Sequence, residues 1–336
     1  MEPRTGNCRV NFRDIARDLG ISVMTLYRVI NNVPSVHPET RERVIDTLNK
    51  HGYYTHKAPK RIKVVFDWGI NRYLDNLGMI LMQNISAQNY TCFPTDSHRN
   101  PESYFNAVAE SDIVVFFSVP DEAVIAKTRE AKKDIYIITI ATKCSADVLI
   151  AADNTRGGEL AARHLHACGH KHVAVHLAEE HSDRMTRYKG FYAEYKTLNP
   201  ESRVDTFFQP LKMTTERACL NYLNRIDKLP TAIFFLIGSY AQIFQFNVLP
   251  HDPERFGVLS IMSYDRNQDI MPSSELIHPF DRIEFDPHDL LDWAEYYIIN
   301  RPMLKKRSTI KTFIDVNLVI EGSVRNLNHE NGRKPK

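Results

Sequence analysis

Met24, Tyr27, Arg28 and Asn31 stand at i, i+3, i+4 and i+7, so on a helix they share one face. Their types suit the edges of base pairs. The arginine fork can donate two hydrogen bonds to a guanine, a contact that discriminates by roughly 1–3 kcal/mol against the wrong base. Val23 and Met24 have no polar handle; they can meet a thymine methyl or simply fill a groove. Val23 and Thr25 lie at the N-terminal end of the segment, the end that enters the major groove in helix-turn-helix docking. The Ser22 hydroxyl and the amides beside it can hold a phosphate at the positive end of such a helix. Lys57, Lys60 and Arg61 are further candidates for phosphate contact.

Three helices must position this face. Phe12, Ile15, Ala16 and Leu19 repeat at i, i+3, i+4 and i+7, one buried stripe on a helix that Asn11 can cap. Gly20 supplies the turn, because glycine tolerates a left-handed backbone. Ser22 opens a second helix running to about Asn31, with Leu26, Val29 and Ile30 inward. Pro38, favoured in a first turn, opens a third through Val44, Ile45 and Leu48 to Gly52. Periodicity alone also fits a plain three-helix bundle packed on the rest of the chain.

Charge separates the two parts. Residues 1–61 hold eleven lysines and arginines against six acidic residues, and the remainder holds 32 against 35. A basic head on a mildly acidic body suits a polyanionic partner for the head alone. No run of eighteen apolar residues is present, and Met1 to Val10 carries no apolar stretch of a secretory signal. Five scattered cysteines make neither a disulfide framework nor a CxxC pattern, so a reducing cytoplasm is the expected setting.

The run from Asn11 through Arg13, Asp14, Ile15, Ala16, Leu19, Gly20, Ser22, Val23, Met24, Thr25, Leu26, Tyr27 and Arg28 to Asn32 resembles the head of the lactose/galactose-repressor family. Pro38 to Val44 and Gly52-Tyr53 extend the likeness. The resemblance implies that Val23 and Met24 set the choice of operator and that Arg28 contacts a base. Tyr27 departs from the pattern, which usually has a serine on phosphate there. Farther on, Asp153-Asn154, Gly157-Gly158, Ala161-Ala162, Gly169-His170, Arg187 and Gly190-Phe191 fall in family order. Val319 to Arg325 resembles the family's last strand.

Read from its own residues, the body alternates apolar runs (Ile62–Phe66, Ile113–Phe117, Ile135–Ile140, Val173–Val175, Ala232–Ile237 and Gly257–Met262) with helical stretches. That alternation predicts parallel sheets covered by helices, and the length suits two lobes. The expected fold is a small all-α helix-turn-helix head, residues 1–56, a short linker at 57–61, and an α/β two-lobed domain at 62–330. The resemblance makes that domain periplasmic-binding-protein-like, with an effector between the lobes at strand carboxyl ends. Candidate effector contacts are Asp67, Trp68 and Tyr73 after the first strand, Arg187, and Asp265 after the strand ending near Met262. Arg187 and Asp265 match family cleft residues. Each has a plainer reading: an ion pair that braces a lobe for Arg187, a cap for Asp265, loop packing for Trp68 and Tyr73.

Two further departures bear on function. Where the family carries an Asn-Asp pair for sugar hydroxyls, this chain has Ile237-Gly238, so a simple sugar is a less natural effector. Only about ten residues separate Gly52 from the first strand, and they include Pro59. The expectation is that a full hinge helix is missing. His164 and Cys168 have zinc-ligand spacing but His164 already belongs to the family pattern, so no metal or cofactor is expected. Glu179-Glu180-His181 reads as a solvated loop. The leading expectation is a homodimeric repressor of a catabolic operon. Its rivals are a solute-binding module whose head makes protein contacts and a cleft hydrolase, for which no nucleophile–base arrangement is found.

Overall fold

The computed structural model describes residues 12–30, 33, 36–50, 62–68, 72–88, 90–117, 120–140, 144–178, 182–265, 280–301 and 309–330. The head consists of α1 (Phe12–Asp18), α2 (Val23–Ile30) and α3 (Pro38–Lys50). Ile15, Ala16, Leu26, Val29, Val44 and Leu48 are its buried centre, as the periodicity requires, joined by Val36 from the connecting loop. Between α1 and α2 the Ile21 amide donates to the Ala16 carbonyl and the Gly20 amide to Arg17, with Gly20 at φ 66°. This double bond closes the first helix and swings the chain into the second, and it needs the left-handed backbone that glycine supplies without strain.

The body begins with β1 (Lys63–Asp67), α4 (Arg72–Ala87), β2 (Thr91–Thr95), α5 (Pro101–Glu110), β3 (Ile113–Phe116), α6 (Glu122–Ala131), β4 (Tyr136–Ile140) and β5 (Val148–Ala152). The chain then crosses to a second lobe. That lobe holds α7 (Asn154–Ala167), β6 (His172–Ala178), α8 (Ser182–Leu198), β7 (Arg203–Gln209), α9 (Thr215–Leu223), β8 (Ala232–Phe235) and α10 (Gly238–Ile243), whose last turn widens at Phe244–Val248. It continues with α11 (Pro253–Phe256), β9 (Ser260–Tyr264) and β10 (Asp281–Glu284). α12 (Pro287–Asn300) and β11 (Ile310–Ile314) return to the first lobe, and β12 (Asn317–Val319) and α13 (Leu327–Glu330) end in the second.

Each lobe has one six-stranded sheet, in the orders β11-β5-β4-β3-β1-β2 and β12-β10-β9-β8-β6-β7. All pairings are parallel except β10 with β12. Strands buried on both faces, such as Ile113–Phe116 and Ala232–Phe235, are apolar without alternation. Successive residues feed opposite cores: Val64 and Phe66 one, Val65 the other. β5 runs directly into α7 and β10 into α12, so the carboxyl ends of both sheets face the lobe junction. There the Asp153 amide donates to Ile314, tying two crossings together, and Phe285 packs on both lobe cores.

The final strand falls earlier than the resemblance suggests. Asn317–Val319 pairs with β10, while residues 321–323 leave the sheet. Their three amides donate to a single oxygen, Oδ1 of Asp281, at 2.9, 2.6 and 3.0 Å. Oδ2 of the same carboxylate meets His164 Nε2 at 2.7 Å. Burial alone would raise the Asp281 carboxyl, but His164 and the three amides outweigh it and hold the group below its usual range. His164 is therefore bound to a structural partner.

Two other histidines set an acid sensitivity. His170 bridges Thr231 and the Arg325 carbonyl, and His176 is enclosed by Phe207, Phe235 and Tyr240. Burial drives both down to about 4, from an ordinary value of 6.5. Each is neutral in the folded chain and takes up a proton on unfolding between those values, so stability is complete above pH 6.5 and falls toward pH 4. Asp67 works the other way, since burial lifts it to about 6 and folding gains as it protonates. Two histidines against one carboxyl leave a net loss of roughly 3 kcal/mol over that window. Urea unfolding at pH 7, 5.5 and 4.5 should show it; a flat or rising trend contradicts the assignment.

Candidate nucleic-acid interface and interlobe cleft

The capped start of α2 is built as its residue types suggest. Ser22 Oγ accepts from the Thr25 amide at 3.0 Å and shares a 2.8 Å hydrogen bond with the Thr25 hydroxyl. Leu26 and Val29 point into the head. Met24 is 63% exposed and Tyr27 45%, and Arg28 is also exposed. All three are exposed on the outward side of α2, where a groove can meet them. Val23 is turned partly into the head's core. The Tyr27 ring stands edge-on to Phe12, 5.6 Å between centroids. Beyond α2 the chain is held by the Val33 amide on the Arg28 carbonyl and by Arg41 on the Val33 carbonyl. Asn31, Lys57 and the linker, on which the expectation of a missing hinge helix falls, lie outside the described residues.

In the cleft the residues named after the first strand divide. Asp67 is fully enclosed. It accepts from the Ser97 amide and hydroxyl, both at 2.7 Å, and from Thr95 at 3.3 Å. The expectation that it contacts an effector is corrected: its oxygens hold the loop after β2 against β1. Trp68 stacks on Phe66, tilts against Phe117 and lies against Gly78 of α4, which is the packing reading. Tyr73 is in the first turn of α4, with its side chain outside the described residues.

The second lobe brings Arg187 and Asp265 together. Nη1 of Arg187 donates to Asp265 Oδ2 at 2.9 Å and to the Leu236 carbonyl at 2.7 Å, while Nε donates to Asn154 Oδ1 at 2.8 Å. The guanidinium lies 3.7 Å over the Tyr264 ring. Burial acts to lower the arginine, but Asp265, Tyr264 and Asp183 together outweigh it and hold the group above its usual value. Burial raises Asp265 in spite of the pair. Asp265 also has a left-handed backbone, φ 65°, rare for a residue with a side chain. Among the described residues, Asp265 Oδ1 and the Tyr264 hydroxyl have no hydrogen-bond partner. The loops after β1, β3, β4, β6 and β9, with Glu179, Glu180 and His181, lie outside the described residues. Ile237 precedes α10 and gives it no side-chain cap.

Glycines on α7 and α8 place the arginine. A methyl on Gly158 would sit 2.2 Å from the Arg187 carbonyl oxygen and 2.6 Å from the Phe191 amide nitrogen; one on Gly157 would sit 2.3 Å from the Tyr264 hydroxyl. The helices therefore touch backbone to backbone, which sequence reading did not see. Gly158→Ala must separate them and should destabilise the second lobe by about 1–3 kcal/mol. Chemical denaturation checks this, and unchanged stability would mean the helices pack less closely.

Fold and site together define a DNA-binding transcription regulator, with a helix-turn-helix head on a two-lobed, periplasmic-binding-protein-like body. Residues 11–56 match the family model "Bacterial regulatory proteins, lacI family", so the head is a lacI-family helix-turn-helix domain. The repressor PurR of Actinobacillus pleuropneumoniae serotype 3 is 24% identical over 94% of this chain and 98% of its own. PurR of Haemophilus influenzae is 23% identical over 66% of this chain and 71% of its own. Among solved structures, the lac repressor dimer bound to operator and the anti-inducer ONPF matches with a TM-score of 0.65 at 17% identity, covering 94% of this chain and 99% of that one. The regulator CelR with cellobiose matches at 0.61 and 16% identity, covering 94% and 100%. The similar proteins are regulators, and no described helix is long and apolar enough to cross a membrane.

Proposed function

We propose that this chain is a cytoplasmic homodimeric repressor of catabolic genes that reads a pseudo-palindromic operator, with a small molecule between the lobes altering its affinity for DNA. The observation that carries the reading is the outward α2 face of Met24, Tyr27 and Arg28 on a lacI-family head. A module whose head makes only protein contacts has no need of that arrangement. Two half-sites require two heads, and the second lobe offers an apolar surface for a second copy. Phe208, Pro210 and Met213 line an open cavity of about 350 Å³ there, with Leu211 exposed beside it.

Arg187 and Asp265 are the proposed effector contacts, and they form a mutual ion pair. A ligand that exchanges with this pair binds differently to two lobe arrangements, and the coupling is reciprocal: ligand weakens DNA binding and DNA weakens ligand binding. Ile237-Gly238 offers no hydroxyl-binding amide or carboxylate, which favours an effector less hydroxylated than a simple sugar. The test is to recover bound genomic fragments with the purified protein and screen metabolites for release. Arg187→Ala should then bind DNA yet ignore the releasing metabolite; an undiminished response rejects the role.

A further inference from the structure

We propose that the head reads a thymine by its 5-methyl group, through an apolar notch made by Met24 and Tyr27, and that Tyr27 is a specificity-determining residue of this chain. The inference rests on the DNA-binding reading and adds what the groove face is selective for.

The α2 face is unusual in its chemistry. Its two largest outward side chains, Met24 at 63% exposure and Tyr27 at 45%, are an unbranched thioether and an aromatic ring one helical turn apart. Arg28 follows on the same face. Val23, the other apolar residue at this end, is partly taken up by the core of the head. Met24 is therefore the apolar side chain left to probe base edges from the first turn. Tyr27 is not a loose neighbour. Its ring is braced edge-on by Phe12 of α1 at 5.6 Å and 67°, an arrangement that fixes its orientation.

In the major groove the thymine 5-methyl is the one methyl group on a base edge, and most of what surrounds it is hydrogen-bond donors and acceptors. A side chain without polar atoms placed against those other groups would strip their water and return nothing. Against the methyl it gains the burial of both partners. A flexible thioether adapts to the methyl's shape while the braced ring limits sideways freedom. Arg28, one residue beyond Tyr27, then places a guanine next to or near that thymine, so each half-site pairs a methyl contact with a charged one.

The experiment uses the full chain. A random duplex pool is selected for binding, and each thymine of the enriched sequence is replaced singly by deoxyuridine, which removes the methyl alone. Wild type should lose about fourfold at one thymine per half-site, the scale of one buried methyl. Met24→Ala should bind thymine and uracil duplexes equally. Tyr27→Phe, which keeps the braced ring, should retain the discrimination, and Tyr27→Ala, which removes the ring, should lose it; discrimination that survives in Tyr27→Ala overturns the role given to Tyr27. If instead Tyr27→Phe weakens all sequences uniformly and leaves no thymine effect, the tyrosine is a phosphate contact and the proposal fails. Indifference of wild type to every uracil also overturns it, although an enriched sequence would leave the DNA-binding reading standing. Enrichment of no sequence at all would overturn both.

Discussion

Arg28→Ala is expected to lower affinity for the selected operator by about thirty-fold or more while leaving affinity for shuffled DNA nearly unchanged. One bidentate contact to guanine discriminates by roughly 1–3 kcal/mol, and a dimer loses it in both half-sites. The side chain is exposed and makes no part of the head's core, so the loss is not one of folding; its backbone carbonyl, which accepts from Val33, is untouched by the substitution. Binding titrations on selected and shuffled duplexes at fixed salt separate the two terms, because phosphate contacts fall on both alike. An equal loss on both duplexes would assign Arg28 to phosphate.

Asp281→Ala should cost the body about 3–5 kcal/mol. The carboxylate is fully buried, and its removal strands three backbone amides at residues 321–323 and a mostly buried His164. Donors left without acceptors inside a protein carry most of their desolvation penalty, and a charged acceptor makes the loss larger. Residues 321–323 would detach, and with them the Ser323 hydroxyl that bonds the Ile261 carbonyl of β9. Denaturant unfolding measures the loss, with amide exchange at 321–323 as its local signature. A change below 1 kcal/mol would mean that water replaces the carboxylate. Asp281→Asn should recover only part of the stability, since a neutral oxygen is a weaker acceptor than an ionised one.

The elements that sequence made visible are those whose signal is local. In α1 and α2 the apolar spacing, the glycine turn and the Ser22 cap are all within one or two helical turns of each other, and each has its counterpart in the structure. The doubly buried strands β3, β4 and β8 announce themselves as apolar runs. Strands at or near sheet edges do not. β2 carries Pro94, β7 mixes Arg203 and Asp205 with Phe207 and Phe208, and β11 sets Lys311 and Phe313 on one exposed face. β5, although wholly buried, is a short run ending in two alanines.

Long-range pairs were the least visible part. His164 and Asp281 are 117 positions apart, and no periodicity links them. The meeting of Arg187 with Asp265 was foreseen only as two separate candidates for one cleft. Asp67 was misplaced because a carboxylate at a strand's end looks the same in sequence whether it faces a cleft or, as here, a neighbouring loop's amide. Gly157-Gly158 was noticed as part of a resemblance, while its reason, backbone contact of α7 with α8 and room for Tyr264, depends on residues at 187–191 and 264.

The central claim is that the outward face of α2 lies in a major groove with Arg28 on a guanine. Methylation interference on the enriched duplex tests it most directly, because a methyl at guanine N7 blocks that groove edge and no phosphate. Modifying one guanine in each half-site should prevent binding by the wild-type chain, and Arg28→Ala should be indifferent to the same modification. Wild-type binding that tolerates methylation at every guanine would contradict it.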